Sequence, residues 1–253
     1  MKILIINPNS DEETEKLIQR VAEDFLQGRA QADVVSMQSA PKLIVTYEDQ
    51  AVSATELIQV VRSKKDDYDG FVVACHGDPN LDLVQELTGK PTYGIAQASM
   101  KMAAMTGNFA VLTPSEKIIP KKFALARKYH CQEQLKLVQV SKGNRKEDLL
   151  EAGKEALKTP GVQAIVLGCA NYAGSSGWLE KRLGVPVVDG LTWALALVES
   201  EARIQGIQPK RGGINQRLTK EQGGEVKSSR DILRQYISNI PNSKRLGEKH
   251  YGC

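Results

Sequence analysis

At Phe71–Pro79 the sequence reads FVVACHGDP, an apolar run that ends in a cysteine and a polar turn. The stretch Ala164–Asn171, which reads AIVLGCAN, repeats this order of features in the second half of the chain. A proline follows each cysteine at almost the same distance, 16 residues after the first at Pro91 and 17 after the second at Pro186. Short apolar runs that end in polar turns are typical of buried parallel strands. The recurrence therefore indicates two similar βα units.

The first strand of each half shows the same correspondence. Ile3–Ile6 ends at Asn-Pro-Asn-Ser, and Phe109–Leu112 ends at Thr-Pro-Ser. Longer helical patterns alternate with the short strands, as in βα units with right-handed crossovers. We therefore expect an α/β protein of two pseudo-symmetric parallel-sheet lobes, with the active site in the cleft between them. The first lobe should comprise residues 1–95 plus about 206–253, and the second residues 96–205.

Local signals predict several further features. Ser10, with a glutamate three residues later, has the pattern of a helix N-cap with a capping box. A second helix is expected at Ser53–Lys64. Asp189 is expected to cap the helix that follows the last strand, and Trp193 in that helix is expected to pack in the core. A final helix is expected near Ser229–Ile237.

The composition is that of an ordinary globular protein, and it argues against several function classes. The 253 residues carry a formal charge of +4, which is too small to indicate nucleic-acid binding. Residues 209–253 contain ten Lys and Arg against four Asp and Glu, a basic tail that we interpret as a solvated surface segment. No apolar run reaches the roughly 18 residues of a membrane-spanning helix, and the first strand is too short for a secretory signal. We therefore expect a cytoplasmic protein that binds neither nucleic acid nor membranes.

The four cysteines are widely spaced and form no CxxC pair, so neither a disulfide scaffold nor a zinc site is expected. A single cysteine after an apolar strand is most often a small buried hydrophobe. Cys75 and Cys169, however, follow matching strands, and ligands of open parallel sheets bind beyond the carboxyl ends of strands. Each precedes small or polar residues that open a helix, where the dipole and free N–H groups favour a thiolate. We therefore predict that these two thiols converge on one cleft, and we interpret Cys131 and Cys253 as incidental.

Two convergent thiols could act in several ways. A Cys–His nucleophile pair would need a nearby histidine, and His76 is adjacent in sequence to Cys75, where side chains usually diverge. A transient redox disulfide is a second possibility. Racemisation fits better, because a thiolate can remove a proton from one face of a carbon next to a carbonyl while a thiol protonates the other face. Backbone N–H groups at the helix starts would stabilise the enolate-like intermediate. No metal or cofactor motif is visible in the sequence.

Four motifs together resemble the hydantoin racemases. They are INPNS at Ile6–Ser10, ACHGDP at Ala74–Pro79, LGCA at Leu167–Ala170 and PVVDG at Pro186–Gly190. Hydantoin racemases belong to the wider aspartate/glutamate racemase superfamily, which includes the allantoin racemases. The similarity runs in order from residue 1 to about residue 205. It implies a two-lobed α/β fold, no cofactor, and catalytic cysteines at Cys75 and Cys169.

The departures from these motifs surround the expected substrate site. His76 stands where the resemblance leads us to expect an aromatic or small residue, and Asn80 stands in place of a glycine. Such changes leave the chemistry intact and bear on which substrate is bound. The residues expected to contact substrate either end the predicted strands or follow a cysteine, and they are Asn7, Asn9, His76, Gly77, Thr113, Ala170 and Asn171.

The sequence therefore predicts an isomerase, a cofactor-independent racemase of a small cyclic ureide, either a 5-substituted hydantoin or allantoin. The acidic C–H of such a ring lies next to a carbonyl, so two thiols can exchange its proton without an electron sink. Racemisation of aspartate or glutamate, or a maleate isomerase-like reaction, is the alternative within the same fold. A non-catalytic small-molecule sensor is a third possibility. The resemblance also implies that the protein is a homo-oligomer and that it binds a small-molecule substrate.

Overall fold

A computed structural model describes residues 1–207 of the chain. The helix predicted near Ser229–Ile237 and the basic tail lie outside the described residues, as does most of the segment 206–253 that the prediction assigned to the first lobe. Within the described range, no helix combines the length and the apolar character that crossing a bilayer requires.

Each half of the described chain forms a sheet of four parallel strands, and the strand order is the same in both. The first sheet has the order β2-β1-β3-β4, with β1 at Lys2–Asn7, β2 at Gln31–Ser36, β3 at Gly70–Val73 and β4 at Thr92–Gly94. The second has the order β6-β5-β7-β8, with β5 at Phe109–Thr113, β6 at Leu135–Val140, β7 at Ala164–Leu167 and β8 at Val187–Asp189. The predicted fold of two parallel-sheet α/β lobes is therefore confirmed.

Helices connect the strands in a matching order. The first half contains α1 (Glu12–Leu26), α2 (Tyr47–Lys64), α3 (Leu81–Thr88) and α4 (Ile95–Thr106). The second half contains α5 (Ile119–Lys128), α6 (Lys146–Ala156), α7 (Ser176–Leu183) and α8 (Gly190–Ile207). Two single 3₁₀ turns, Glu116–Ile118 and Ala170–Tyr172, precede α5 and α7.

The central strands β3 and β7 are buried along their whole length. Helices cover both faces of each sheet, so these strands read as continuous apolar runs rather than as alternating patterns. In β1, Ile3 and Ile5 belong to one core cluster, while Leu4 and Ile6 belong to another on the opposite face of the sheet.

The last helix of each half packs on the sheet of the other half. Apolar residues of α4 share a core with the second sheet, namely Ala96, Met100 and Ala103 with Phe109, Val111 and Val166. Apolar residues of α8 share a core with the first sheet, namely Leu191, Leu195 and Val198 with Ile3, Ile5 and Val72. The predicted second lobe, residues 96–205, included α8. The structure instead packs α8 on the first sheet, because the apolar face of α8 covers β1 and β3.

Helices α4 and α8, which we call the exchanged helices because each packs on the sheet of the other half, are in contact at their first residues. A Cβ atom at Gly190, the first residue of α8, would lie 2.2 Å from the carbonyl oxygen of Ile95, the first residue of α4. Only glycine allows this close approach of two backbones. The crossing point locks the two halves together directly beside β4 and β8.

Several local predictions differ from the structure. The N-cap of α1 is Asp11, not Ser10, because the Asp11 carboxylate accepts the hydrogen bond from the Thr14 N–H. Helix α2 begins at Tyr47, before the predicted start at Ser53, and Thr46 forms its capping box. Trp193 is 39% exposed rather than buried, since the apolar stripe of α8 lies on the other face of the helix. Helices α4 and α7 were not predicted.

Candidate active site

The two predicted catalytic cysteines occupy matching places. Cys75 follows β3 and Cys169 follows β7, and these strands lie in equivalent positions in their sheets. Both residues are partly exposed and neither forms a disulfide. The backbone N–H groups two residues further along, at Gly77 and at Asn171, lower the pKa of the Cys75 and Cys169 thiols against the larger effect of burial. Such backbone donors stabilise the thiolate form.

Lys122, in the first turns of α5, joins the two cysteine loops. Its ammonium donates hydrogen bonds to the carbonyl oxygen of His76 at 2.5 Å and to that of Gly168 at 2.9 Å. These residues lie directly beside Cys75 and Cys169 in the sequence. The two loops therefore meet at one nitrogen atom, which brings the carboxyl ends of β3 and β7 to a common site.

Burial and charge act in opposite directions on the thiols. Burial raises the pKa of the Cys75 thiol to about 11, while the Lys122 ammonium and the Gly77 N–H oppose this rise. Burial likewise raises the pKa of Cys169, against the Asn171 N–H and Lys122. For Lys122 itself, burial lowers the pKa to about 8, and the two cysteines are the main groups that favour its charged form. The ammonium and the thiols are therefore electrostatically coupled.

His76 faces protein groups on both sides of its ring. Its Nε2 lies 3.0 Å from the Ser99 hydroxyl, and that hydroxyl donates to the carbonyl oxygen of Ile95 at 2.7 Å. Its Nδ1 lies 3.0 Å from the Lys122 ammonium. This geometry requires a neutral ring that is protonated on Nε2 and accepts from Lys122 on Nδ1. Burial, together with the Lys122 charge, holds the pKa of His76 well below its usual value of 6.5.

Asn7 and Thr113 end β1 and β5, the strands that pair with β3 and β7. Both are fully buried. Among the described residues, neither the Oδ1 atom of Asn7 nor the hydroxyl of Thr113 has a hydrogen-bond partner. Buried polar atoms without partners are rare and require an explanation. The two residues occupy equivalent positions beside the two cysteine loops, and whether they contact substrate stays a prediction.

Asp78 and Asp189 hold the starts of the exchanged helices. The Asp78 carboxylate accepts hydrogen bonds from the N–H groups of Ala96 and Gln97 in α4, and from the Tyr129 hydroxyl at 2.6 Å. Asp189 accepts from the N–H of Leu191 in α8, which confirms its predicted capping role, and also from the N–H of Gly174. Gly94 leaves room for the Asp78 carboxylate at the start of α4, because a Cβ atom at Gly94 would lie 2.3 Å from that carboxylate.

A cavity of about 430 Å³ opens beside the first cysteine loop. Gly77 and Gln50 line it, whereas neither Cys75 nor Cys169 is among its lining residues. A Cβ atom at Gly77 would lie 3.5 Å from the Gln50 amide and 3.8 Å from the Cys75 sulfur. The volume falls in the range of small-molecule sites. Among residues 1–207, no three His, Cys, Asp or Glu side chains come together as a metal site requires.

Comparison with known proteins relates the chain to characterised enzymes. Residues 3–198 match the family model described as Asp/Glu/Hydantoin racemase. The chain is 32% identical over 212 residues to a hydantoin racemase from Pseudomonas sp. (strain NS671), an alignment that covers 79% of this chain and 85% of that protein. A hydantoin racemase from Paenarthrobacter aurescens is 28% identical over 235 residues, 88% of this chain and 99% of that protein. Allantoin racemase from Klebsiella pneumoniae has a similar structure, with a TM-score of 0.76 at 28% identity, covering 81% of this chain and 88% of that one.

The chain belongs to the Asp/Glu/Hydantoin racemase family. It is accordingly an isomerase of the racemase type, and the resemblance to hydantoin racemases drawn from its motifs is confirmed. The match covers both sheets and the first half of α8, so it includes every residue of the site described above.

The structure distributes the other predicted site residues of this racemase over different roles. Asn9 accepts hydrogen bonds from the Asn7 amide and from the N–H of Asp11, the N-cap residue of α1. The side-chain oxygen of Asn171 accepts from the Thr14 hydroxyl of α1 at 2.7 Å. Ala170 packs in the core cluster of the first sheet. All three lie close to the cysteine loops, and whether they contact substrate stays a prediction.

Lys122 and Asp78 are the residues of this site that the sequence reasoning missed. A signal for Lys122 exists, because it lies four and seven residues before Ala126 and Tyr129, which are both buried. This spacing places all three on one face of α5. A lysine on the apolar face of a helix is the pattern that could have identified it.

Proposed function

We propose that this racemase interconverts the enantiomers of a small cyclic ureide, a 5-substituted hydantoin or allantoin, by cofactor-independent proton transfer between Cys75 and Cys169. The observation that carries the proposal is the matched setting of the two thiols. Each follows a central strand of its sheet, and the Lys122 ammonium donates a hydrogen bond to the carbonyl oxygen of a residue beside each of them. The similarity to proteins named hydantoin racemase and allantoin racemase supports the substrate class.

The reaction needs one thiolate and one thiol. The thiolate removes the proton from the ring carbon next to the carbonyl, and the C–H electron pair moves into the carbonyl to form an enolate. The thiol on the opposite face then gives its proton to that carbon, and the electron pair returns from the enolate oxygen. The first cysteine ends protonated and the second ionised, so the reverse reaction begins with the two roles exchanged.

The groups around the cysteines suit a ureide ring, which alternates N–H donors with carbonyl acceptors. The Asn7 Oδ1 atom is an acceptor for a ring N–H, and the Thr113 hydroxyl is a donor for a ring carbonyl. Backbone N–H groups at the starts of the helical turns after Cys75 and Cys169 are donors for the oxygen that gains charge in the enolate. Both atoms are closed to solvent in this structure, so the proposal requires the surrounding groups to open before a substrate can supply the hydrogen bonds that these atoms lack within the described chain.

Proton NMR in deuterium oxide tests the proposal, with single enantiomers of 5-substituted hydantoins, allantoin, aspartate and glutamate as substrates at neutral pH. We expect the ring-carbon proton signal and the optical rotation of a ureide to be lost together, far above an enzyme-free blank. Cys131→Ala, which changes a buried cysteine outside the site, should behave as the wild type. Turnover of an amino acid with no effect on any ureide would contradict the substrate class.

A further inference from the structure

Lys122 is a buried ammonium whose hydrogen-bond partners are all neutral. It is 2% exposed. Its contacts are the ring nitrogen and carbonyl oxygen of His76 and the carbonyl oxygen of Gly168. No carboxylate among residues 1–207 lies within ion-pair distance of it. A charge this deeply buried is costly unless an opposite charge compensates it.

The groups around Lys122 other than the two cysteines do not supply a full negative charge to compensate its ammonium. His76 is neutral in this geometry, and Lys121 on the same helix is a like charge. Asp78 is close enough to act on Lys122, but its oxygens are bound to their own donors at the start of α4 and to Tyr129. The remaining groups are the thiols of Cys75 and Cys169, which are the two strongest influences favouring the charged lysine.

We infer that Lys122 is the fixed counter-charge for a single thiolate, which either Cys75 or Cys169 can carry. The inference rests on the proposed two-cysteine reaction and adds a positioning residue to it. One ammonium balances one thiolate, whereas a second thiolate in the same site would be uncompensated. The charge count therefore keeps one cysteine protonated as the acid while the other serves as the base.

The position of Lys122 between the two loops suits both halves of the reaction. It contacts the residue after Cys75 and the residue before Cys169, so neither cysteine holds the cation alone. When the substrate proton passes from carbon to the first sulfur and the second sulfur releases its own proton, the thiolate moves from one loop to the other. Lys122 keeps its three protons throughout, and the net charge of the site does not change.

The test is thiol alkylation by iodoacetamide, resolved by mass spectrometry of the peptides that contain Cys75 and Cys169. Lys122→Met removes the charge and keeps most of the side-chain volume. Because burial already raises the pKa of the Cys75 thiol to about 11, the readout is the alkylation rate at fixed pH below the midpoint. We expect this rate to fall about ten- to a thousandfold, which corresponds to the rise of about one to three units in thiol pKa on losing a close opposite charge. Lys154→Met, at an exposed position in the last turn of α6, is the matched control and should leave the rate unchanged. A folded Lys122→Met protein with wild-type alkylation rates would overturn the inference.

A second arm leaves Lys122 in place. If one thiolate is shared, Cys75→Ser should allow Cys169 to ionise in a single step at lower pH than in the wild type. An unchanged or higher midpoint for Cys169 would overturn the inference, even if Lys122→Met failed to fold. Neither arm requires turnover. If the alkylation results are as expected but the protein racemises no substrate, the proposed function is wrong, while the role of Lys122 as counter-charge to a thiolate is still supported.

Discussion

At the ends of β1 and β5, Asn7 and Thr113 each bury a side-chain oxygen that has no partner among the described residues. The strand register places them one step beyond the pairs Ile6–Val73 and Leu112–Leu167, and therefore beside the segments that lead into the two cysteines. A buried hydroxyl without a hydrogen bond lowers stability. Such a group is explained if its partner is a bound substrate.

Thr113→Val tests this explanation, because valine has nearly the same shape and no hydroxyl. We expect the free energy of unfolding to stay the same or rise, while kcat/KM falls about tenfold with the loss of one substrate hydrogen bond. Urea denaturation and racemisation kinetics measure the two effects. Thr92→Val is the contrasting control, because the buried Thr92 hydroxyl donates to the Lys90 carbonyl oxygen. It should lose about 1 kcal/mol of stability and keep its activity. Loss of stability without loss of activity at Thr113 would contradict a substrate contact.

Single residues were predictable where their position in the repeat was informative. Cys75 and Cys169 stand out because matching strands lead into both, although the order of features alone says nothing about distance. Lys122 was missed because a lysine in a helix usually lies on the surface, and its contacts are to loops distant in sequence. Trp193 was wrongly placed in the core, because α8 buries only the face opposite to it.

Among the elements, the strands follow from sequence more clearly than the helices. Continuous apolar runs bounded by polar turns predicted β1 and β3 of the first sheet and β5 and β7 of the second. Helix α4 has no such signal, because buried residues occur on several of its faces, among them Ile95, Ala96, Ala98, Ser99, Met100 and Ala103. Its exposed positions include Met105, which is 78% exposed, so amphipathic periodicity does not reveal the helix. Its position depends on tertiary contacts, of which the Asp78 cap is the clearest.

Asp78→Asn should therefore weaken the attachment of α4. The amide offers one acceptor oxygen where the carboxylate offers two, so the N–H of Ala96 or Gln97 is left facing a donor. We expect the free energy of unfolding at neutral pH to fall by about 1–3 kcal/mol in urea denaturation. Asp82→Asn alters an exposed carboxylate that pairs with Lys128, and should change stability by less than about 1 kcal/mol. Equal effects of the two substitutions would contradict the capping role.

For the whole molecule, the exchange of α4 and α8 between the sheets is the feature that forms the site. Each helix covers the sheet of the other half, and the two cross where Gly190 meets Ile95. The repeat in the sequence predicted two similar lobes. It could not reveal the exchange, because an apolar helix face fits either sheet equally well. The crossing holds the carboxyl ends of β3 and β7 together, which is the geometry that the proposed two-cysteine reaction requires.

In the proposed reaction, Cys75 and Cys169 serve opposite faces of one carbon. The most direct measurement follows deuterium exchange of each pure enantiomer of a turned-over ureide by NMR, using Cys75→Ser and Cys169→Ser beside an enzyme-free blank. The proposed reaction predicts that neither variant racemises the substrate. It also predicts that any residual exchange is confined to one enantiomer, the opposite one in the two variants. Racemisation by either variant at the wild-type rate, or exchange of the same enantiomer by both, would contradict it.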